Sequence, residues 1–329
     1  MHDKLSARKA LLLGLLFFLI SAGLGYPILN RYDPGKLSGM SDAAEYSGDV
    51  TSPLSIFSYR PFVPALAKPF YWLANGRISS WNPALFGMLM AASILTAATA
   101  VTIIAIGLRC GLSYSTSLIG ALLFLVNFAV PNWNLAAYVD SGEALFLALV
   151  AWSLLSARWY LLPLWAIPGT LSKETFALFA FTFAIVWWLT ERPLRLGKLL
   201  WIAALGILAC GAVLFQFASS GGILSGTARY TSAMAAFTGV GFFHSLIRCL
   251  TAHELWFTFI WLLPLGLLGF RQIDRRWVWA ASATFVLALL LGAYNNAQGN
   301  TARALFNIAG PLLSLSAAAL LTNRESQRV

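Results

Sequence analysis

The sequence predicts an all-α polytopic membrane protein with about ten transmembrane helices, and two observations support this prediction. Hydrophobic residues make up 59% of the 329 residues and charged residues only 10%, with a mean hydropathy of +0.74. A soluble domain carries charge on about a quarter of its residues, so this chain has too few polar side chains to cover a water-exposed surface. Apolar runs near the length that crosses a bilayer as a helix recur along the chain, without the alternation typical of barrel strands.

We delimit ten apolar runs within a single transmembrane domain, residues 1–329. They are 10–28, 82–108, 114–131, 142–157, 159–171, 175–190, 199–218, 256–270, 277–293 and 304–322. The fifth is short and contains Pro163 and Pro168, so a half-helix or re-entrant segment is an alternative there. The first follows basic residues like a secretory signal, but its apolar run of about 19 residues exceeds the roughly 7–15 of a signal core. That length favours an uncleaved membrane anchor.

Basic residues predict which ends of the spans face the cytoplasm. With the N-terminus inside, the inner segments carry 13 Lys and Arg against 4 acids, whereas the outer segments carry 9 against 8. The positive-inside rule applies most strongly to short basic segments such as 191–198 and 271–276. We therefore expect both termini in the cytoplasm and two long outer loops, 29–81 and 219–255. The compact chain is typical of a bacterial protein, which indicates the plasma (inner) membrane.

The first outer loop contains a stripe of acidic side chains. If residues 41–49 are helical, Asp42, Glu45, Tyr46 and Asp49 share one face, because they follow an i, i+3, i+4, i+7 spacing. Such a stripe raises a pKa, recruits a cation or faces water. A solvated amphipathic helix on the loop is the alternative interpretation.

Three basic residues at helix boundaries are candidates for binding a phosphate. Arg60 precedes an apolar stretch, where its planar guanidinium suits a phosphate; an anchored interfacial helix is the alternative. Lys173 and Glu174 separate two apolar runs, and Arg303 opens the last run. A positive charge at a helix start opposes the helix dipole unless an anion meets it. N-capping by Ser172 is the alternative for the second site, although it leaves Lys173 unexplained.

Further outer ionisable residues receive no catalytic role from the sequence; among them are Asp140 with Glu143, His244, Arg248, and His253 with Glu254. The three cysteines lie far apart, and no spacing of Cys and His predicts a zinc, haem or redox site. No basic run interleaved with aromatic residues indicates nucleic-acid binding.

In their order along the chain, these segments resemble the GT-C superfamily of membrane glycosyltransferases. The first motif, Asp42-x-x-x-Tyr46, is similar to a stretch of lipid A aminoarabinose transferases and protein O-mannosyltransferases. The others are Tyr59-Arg60-Pro61-Phe62-x-Pro64, Leu171-Ser172-Lys173-Glu174-Thr175, and Arg303 at the start of a late span. The resemblance extends over about residues 10–320 as short motifs. It departs at Ala43, where the aminoarabinose and O-mannosyl enzymes have a second acid.

The resemblance implies a GT-C-like fold with interfacial helices in the first outer loop. It also implies transfer of a sugar from a polyprenyl-phosphate donor in the membrane to a lipid, glycan or protein acceptor of the envelope, with inversion. No cofactor is expected apart from a divalent cation, a requirement that Ala43 leaves open. Two alternatives remain: a non-catalytic transporter or flippase of lipid-linked sugars, and a structural subunit of an envelope-assembly complex.

The resemblance also implies roles for the individual side chains. Asp42 is the expected general base, and Glu45 and Tyr46 orient the acceptor or the sugar. The three basic residues Arg60, Lys173 and Arg303 are expected at the phosphate. Glu174 is expected to pair with the neighbouring lysine or to reach a sugar hydroxyl.

Overall fold

A computed structural model describes residues 5–31, 41–52, 59–78, 80–219, 241–295 and 298–326; the side chains of 30–31, 41–44, 298–299 and 323–326 are outside the description. The described residues are all-helical, with no strand among them. The helices are α1 Ala7–Arg31, α2 Ser41–Thr51, α3 Phe62–Ala74, α4 Pro83–Arg109, α5 Tyr114–Leu125, α6 Asp140–Leu155, α7 Leu162–Ser172, α8 Thr175–Thr190, α9 Gly197–Ser219, α10 Phe242–Thr251, α11 His253–Phe259, α12 Leu262–Gly269, α13 Arg275–Tyr294 and α14 Gln298–Ser326. A π-helical turn, Val130–Asn134, precedes α6.

By length and composition, five helices of the described chain can cross a membrane. They lie at Ala7–Leu29, Pro83–Arg109, Gly197–Ser219, Arg275–Tyr294 and Asn300–Thr322. A sixth crossing results if His253–Phe259 and Leu262–Gln272, which are bent by 47°, form one span. The prediction of an all-helical chain with helices long and apolar enough to cross a membrane is confirmed. The number of about ten spans is not, because several predicted runs form helices shorter than the roughly 20 residues that a bilayer requires.

Contacts between helix ends define one end of the bundle that is rich in basic residues. Lys9 near the start of α1 lies over the ring of Tyr114 at the start of α5, at 5.9 Å. Arg276 at the start of α13 lies over the ring of Trp187 near the end of α8, at 5.3 Å. We call this the basic end. Its residues belong to the segments that the charge distribution predicts to be cytoplasmic.

α14 lies at the centre of the bundle, because 83% of its apolar window is buried, compared with 72% for α4 and 22% for α1. Small residues permit close packing around it, as is usual where helices associate without a hydrophobic driving force. A Cβ atom added at Gly120 of α5 would lie 2.8 Å from a side-chain carbon of Leu315. A Cβ atom added at Gly269 of α12 would overlap the backbone carbonyl of Ser316.

We expect Gly269→Ala to lower the free energy of unfolding by about 1–3 kcal/mol, because a backbone carbonyl cannot yield to the added methyl group without a shift of α12. Gly211→Ala in α9 is the matched control, since a Cβ there meets no atom within 4 Å. Replacing glycine by alanine in an exposed helix stabilises it by up to about 1 kcal/mol. Thermal unfolding in detergent measures both variants, and equal midpoints would contradict this account of the packing.

Candidate functional site

The candidate site is built around a break between α7 and α8. Lys173 has extended backbone angles, φ −161° and ψ 126°, and it separates the two helices. The Lys173 N–H donates to the Gly169 carbonyl at 3.1 Å in the last turn of α7. Two further carbonyl groups of this helix accept side-chain donors: Ser172 Oγ donates to the Pro168 carbonyl at 2.8 Å, and Gln216 Nε2 donates to the Thr170 carbonyl at 3.0 Å. α7 ends at Ser172, and Glu174 stands at the N-cap of α8 without a side-chain cap, so the alternative that Ser172 caps the next helix is wrong.

The side chains of Lys173 and Glu174, at the extended break, contact different neighbours. In an extended segment, successive side chains point to opposite sides. Lys173 turns towards α6, whereas Glu174 turns towards Arg60. The expected pairing of Glu174 with Lys173 is therefore replaced by two separate ion pairs, one on each side of the break.

On the α6 side, Lys173 is held by two carboxylates. Its Nζ lies 2.7 Å from Asp140 Oδ1 and 3.1 Å from Glu143 Oε2, and the carboxylate side chains are 2% and 0% exposed. Both acids belong to the first turn of α6, where the helix dipole favours a negative charge. Asp140 also approaches α14, because its Oδ2 lies 3.3 Å from Arg303 Nη1. One lysine and one arginine from distant parts of the chain thus share one aspartate.

Two neutral hydrogen-bond donors also contact the carboxylate oxygens of Glu143. Thr175 Oγ1 donates to its Oε1, and Asn307 Nδ2 donates to its Oε2 at 2.8 Å. A buried ion pair is tolerated only when further hydrogen bonds satisfy its remaining lone pairs. Glu143 meets this condition, and in doing so it joins α6, α8 and α14.

Gly142 allows the break to approach α6 this closely. A Cβ atom at this position would lie 2.5 Å from Ser172 Oγ and 2.7 Å from Ser172 Cβ. The glycine stands between the two acids that hold Lys173. Any larger residue would move the break away from α6 and lengthen the ion pairs.

On the opposite side, Arg60 forms a two-point ion pair with Glu174. Arg60 Nε donates to Oε2 at 2.8 Å and Nη2 donates to Oε1 at 2.7 Å, which is the planar geometry that guanidinium and carboxylate prefer. The third nitrogen, Nη1, donates to Tyr46 Oη on α2 at 2.6 Å. Tyr59 beside it stacks on Phe217 of α9, with ring centroids 5.9 Å apart.

The basic residues of the break region remain charged despite their burial. Burial lowers the pKa of Lys173, but the carboxylates of Asp140 and Glu143 outweigh it, so the pKa lies above its ordinary value. Burial likewise lowers the pKa of Arg60, and Glu174 reverses the effect. Both residues lie between helices and outside the membrane-spanning segments.

Six charged side chains on the two sides of the break form what we call the charge cluster. It consists of three basic and three acidic residues: Arg60, Asp140, Glu143, Lys173, Glu174 and Arg303.

The structure brings most of the predicted site residues together. One group consists of Tyr46, Arg60 and Glu174, and the other contains Lys173 and Arg303. The peptide bond between residues 173 and 174 connects the two groups. The first-loop stripe lies on a helix as expected, since α2 covers Ser41–Thr51.

The structure leaves the roles of two predicted acids of α2 untested. The side chain of Glu45 is exposed on α2. Asp42 belongs to α2 one turn before Tyr46, but its side chain lies outside the described residues. The roles of both stay predictions.

Three residues of the cluster region received no role from the sequence. Asp140 and Glu143 stand at the start of an apolar run, three residues apart, and this spacing on a helix was the signal that they act together. Asn307 is a lone amide within an apolar run. Nothing in the sequence connects it to an acid 164 residues away.

Among the described residues, no group of three or more His, Cys, Asp or Glu side chains could hold a metal ion. This search does not include the side chain of Asp42, so the divalent cation considered above stays a prediction. Comparisons with known protein families, with curated proteins and with solved structures give no match. The resemblance to GT-C glycosyltransferases therefore rests on the motifs quoted above.

Replacing Lys173 by methionine removes the cation and keeps an apolar side chain of similar reach. Asp140 and Glu143 then face each other in a buried environment. We expect Lys173→Met to reduce the free energy of unfolding by about 3–5 kcal/mol, the cost of breaking a buried ion pair from one side. Adding Glu143→Gln should recover part of this loss, because it removes the carboxylate that is left without a cation, whereas Asp140 keeps Arg303. Thermal unfolding in detergent gives both values.

Lys198→Met at the basic end is the matched control. Lys198 pairs with Glu191, and both side chains are more exposed than those of the cluster. Glu191 keeps a second cation, Arg276, at 4.0 Å. The expected loss is under about 1 kcal/mol. A loss of the same size in the two lysine variants would show that burial of the charge cluster does not govern its energy.

Proposed function

We propose that the protein is a membrane glycosyltransferase that moves a sugar from a polyprenyl-phosphate donor to a lipid, glycan or protein acceptor of the cell envelope. One observation carries this proposal: the hydrogen bond from Arg60 Nη1 to Tyr46 Oη at 2.6 Å. It ties α2, the helix that contains Asp42 one turn earlier, to the charge cluster. A candidate base and candidate phosphate ligands therefore belong to elements in direct contact.

In the proposed reaction, the acceptor hydroxyl oxygen attacks the anomeric carbon of the sugar from the face opposite the phosphate. Asp42 takes the hydroxyl proton, the bond between the anomeric carbon and the phosphate oxygen breaks, and polyprenyl phosphate leaves. A phosphate is already a stable leaving group, so the protein needs cations more than a strong acid. Glu45 and Tyr46 orient the acceptor or the sugar.

The geometry supports a division of labour among the basic residues. Arg60 and Lys173 hold carboxylates at 2.7 Å and thereby fix the break between α7 and α8. Arg303 meets Asp140 at the longer distance of 3.3 Å and lies over the ring of Tyr138, 4.7 Å from its centroid. We therefore assign Arg303 as the principal ligand of the donor phosphate, where it stabilises the charge that develops as the glycosidic bond breaks.

We further propose about ten crossings of the plasma membrane, with both termini cytoplasmic and the charge cluster on the outer side. α8 supports this count. Its first residue, Thr175, bonds to Glu143 in the cluster, and Trp187 near its other end contacts Arg276 at the basic end. A helix of 16 residues is about 24 Å long, so α8 connects the two ends although it is short.

A transfer assay tests the proposed function. Purified protein in nanodiscs receives radiolabelled polyprenyl-phosphate sugars together with an extract of membrane lipids and glycans. We expect transfer by the wild type and its loss in Asp42→Asn, because an amide cannot accept the proton. Asp49→Asn on the same helix is the matched control and should retain activity. Equal transfer by Asp42→Asn and the wild type would refute the assignment of the base, and donor binding without transfer by the wild type would favour a carrier.

A second experiment tests the role of Arg303 through its partner. A donor phosphate competes with Asp140 for this arginine, so we expect Asp140→Asn to bind polyprenyl phosphate about threefold to tenfold more tightly, or roughly 0.7–1.4 kcal/mol. Glu143→Gln is the control, since its described partners are Lys173, Thr175 and Asn307. Equilibrium binding of the radiolabelled lipid measures both, and weaker binding by Asp140→Asn alone would assign the aspartate to the ligand instead.

A further inference from the structure

The helix α10, Phe242–Thr251, presents three different faces. One face packs against α13 and α14. Ser245 and Cys249 on this face are 0% and 1% exposed, and Cys249 Sγ lies 3.7 Å from Thr301 Oγ1 on α14. Thr301 precedes Arg303 by two residues on α14, so this contact places the end of α10 at the level of the charge cluster.

The second face is apolar and exposed. Phe243, Ile247 and Leu250 are 76%, 59% and 42% exposed. They follow an i, i+4, i+7 spacing and therefore form one stripe along the helix. An exposed apolar stripe of this kind needs a covering medium, because in water it would be costly.

The third face is polar. His244, Arg248 and Thr251 are also exposed, and they follow the same spacing one residue later. Around the helix, a buried face is thus followed by an apolar face and then by a polar face, each about 100° wide. A helix covered by water exposes mainly polar residues on its outer face, and one inside a bilayer exposes mainly apolar residues. Exposure of both on adjacent flanks is typical of a helix at the boundary between the two media.

The chain that follows α10 supports the bilayer as the covering medium. A break at Ala252, with ψ 128°, leads into α11, the first half of the bent span pair. There Trp256 and Phe257 are 57% and 56% exposed. The apolar stripe of α10 therefore continues into the exposed apolar surface of a candidate span, and tryptophan is typical of a membrane interface.

We propose that α10 is an interfacial membrane helix at the end of the bundle that holds the charge cluster. Its apolar stripe lies among the acyl chains, and Arg248 and His244 lie at the depth of the phospholipid phosphates. The partner is the bilayer itself, and the positive charge of Arg248 complements the lipid phosphate. Since α10 packs on α14 beside Thr301, it sets the depth of the start of α14 in the membrane. This inference does not depend on the proposed enzymatic activity.

Spin labels measured in nanodiscs of phosphatidylcholine and phosphatidylglycerol test this placement. The background carries Cys110→Ser and Cys210→Ala and keeps Cys249, which is buried and serves as the unlabelled reference. Single cysteines then replace residues of both exposed faces: Phe243, Ile247, Leu250, His244, Arg248 and Thr251. All six positions are exposed, so the labelled proteins should elute and unfold like the background protein. Power saturation with oxygen and with a nickel chelate reports the depth of each label.

We expect the ratio of oxygen to nickel accessibility to be several-fold higher on the apolar face than on the polar face, with the polar labels at phosphate depth. High nickel accessibility at all six positions would overturn the proposal, because α10 would then lie in water. High oxygen accessibility at all six would overturn it as well, since the helix would lie within the hydrocarbon. Apolar positions shielded from both reagents would indicate a protein partner or a second copy in place of lipid.

Discussion

The burial of Lys173 constrains the rest of the site. A buried cation requires anions close by, and α6 provides two of them in its first turn. They can approach only because Gly142 lets the break between α7 and α8 pack against α6. The Thr170 carbonyl in the last turn of α7 accepts a hydrogen bond from Gln216, which connects α9 to the break. Distant parts of the sequence thus depend on one ammonium group.

The extended geometry of the same residue separates a structural side from an adaptable side. On the structural side, the acids of α6 are fully paired and buried, and they connect helices of the bundle core. On the adaptable side, Glu174 meets Arg60, which is 18% exposed and precedes α3. Arg60 reaches α2 through Tyr46, so a movement of α2 would change the ion pair of Arg60 with Glu174 before it changed the contacts of Lys173 with the acids of α6. Under the proposed function, this places adaptability where the acceptor must enter.

Sequence reasoning predicted the helical class, the basic end and most of the residues that meet in the cluster. These follow from local properties: apolar length, charge distribution and the cost of a charge in a membrane. It did not predict which residues would pair, since the partner of Lys173 depends on the direction of one side chain from an extended backbone. The adjacent Glu174 was the natural choice on spacing alone. Asn307 was missed because a single amide in an apolar run carries no sign of its distant acid.

Charge balance connects the cluster to the membrane interface. Under the proposed function, a phosphate would enter at the expense of an existing carboxylate contact, because three basic residues face three acidic ones. The contact of Arg303 with Asp140 is the longest ion pair within the cluster. Arg303 follows Thr301, which contacts α10. If α10 lies at the depth of the lipid phosphates, then Arg303 lies close to that depth too. A phosphate carried on a lipid already has this depth, whereas a soluble phosphate must be brought there from water, so under the proposed function the arrangement would favour lipid-borne anions.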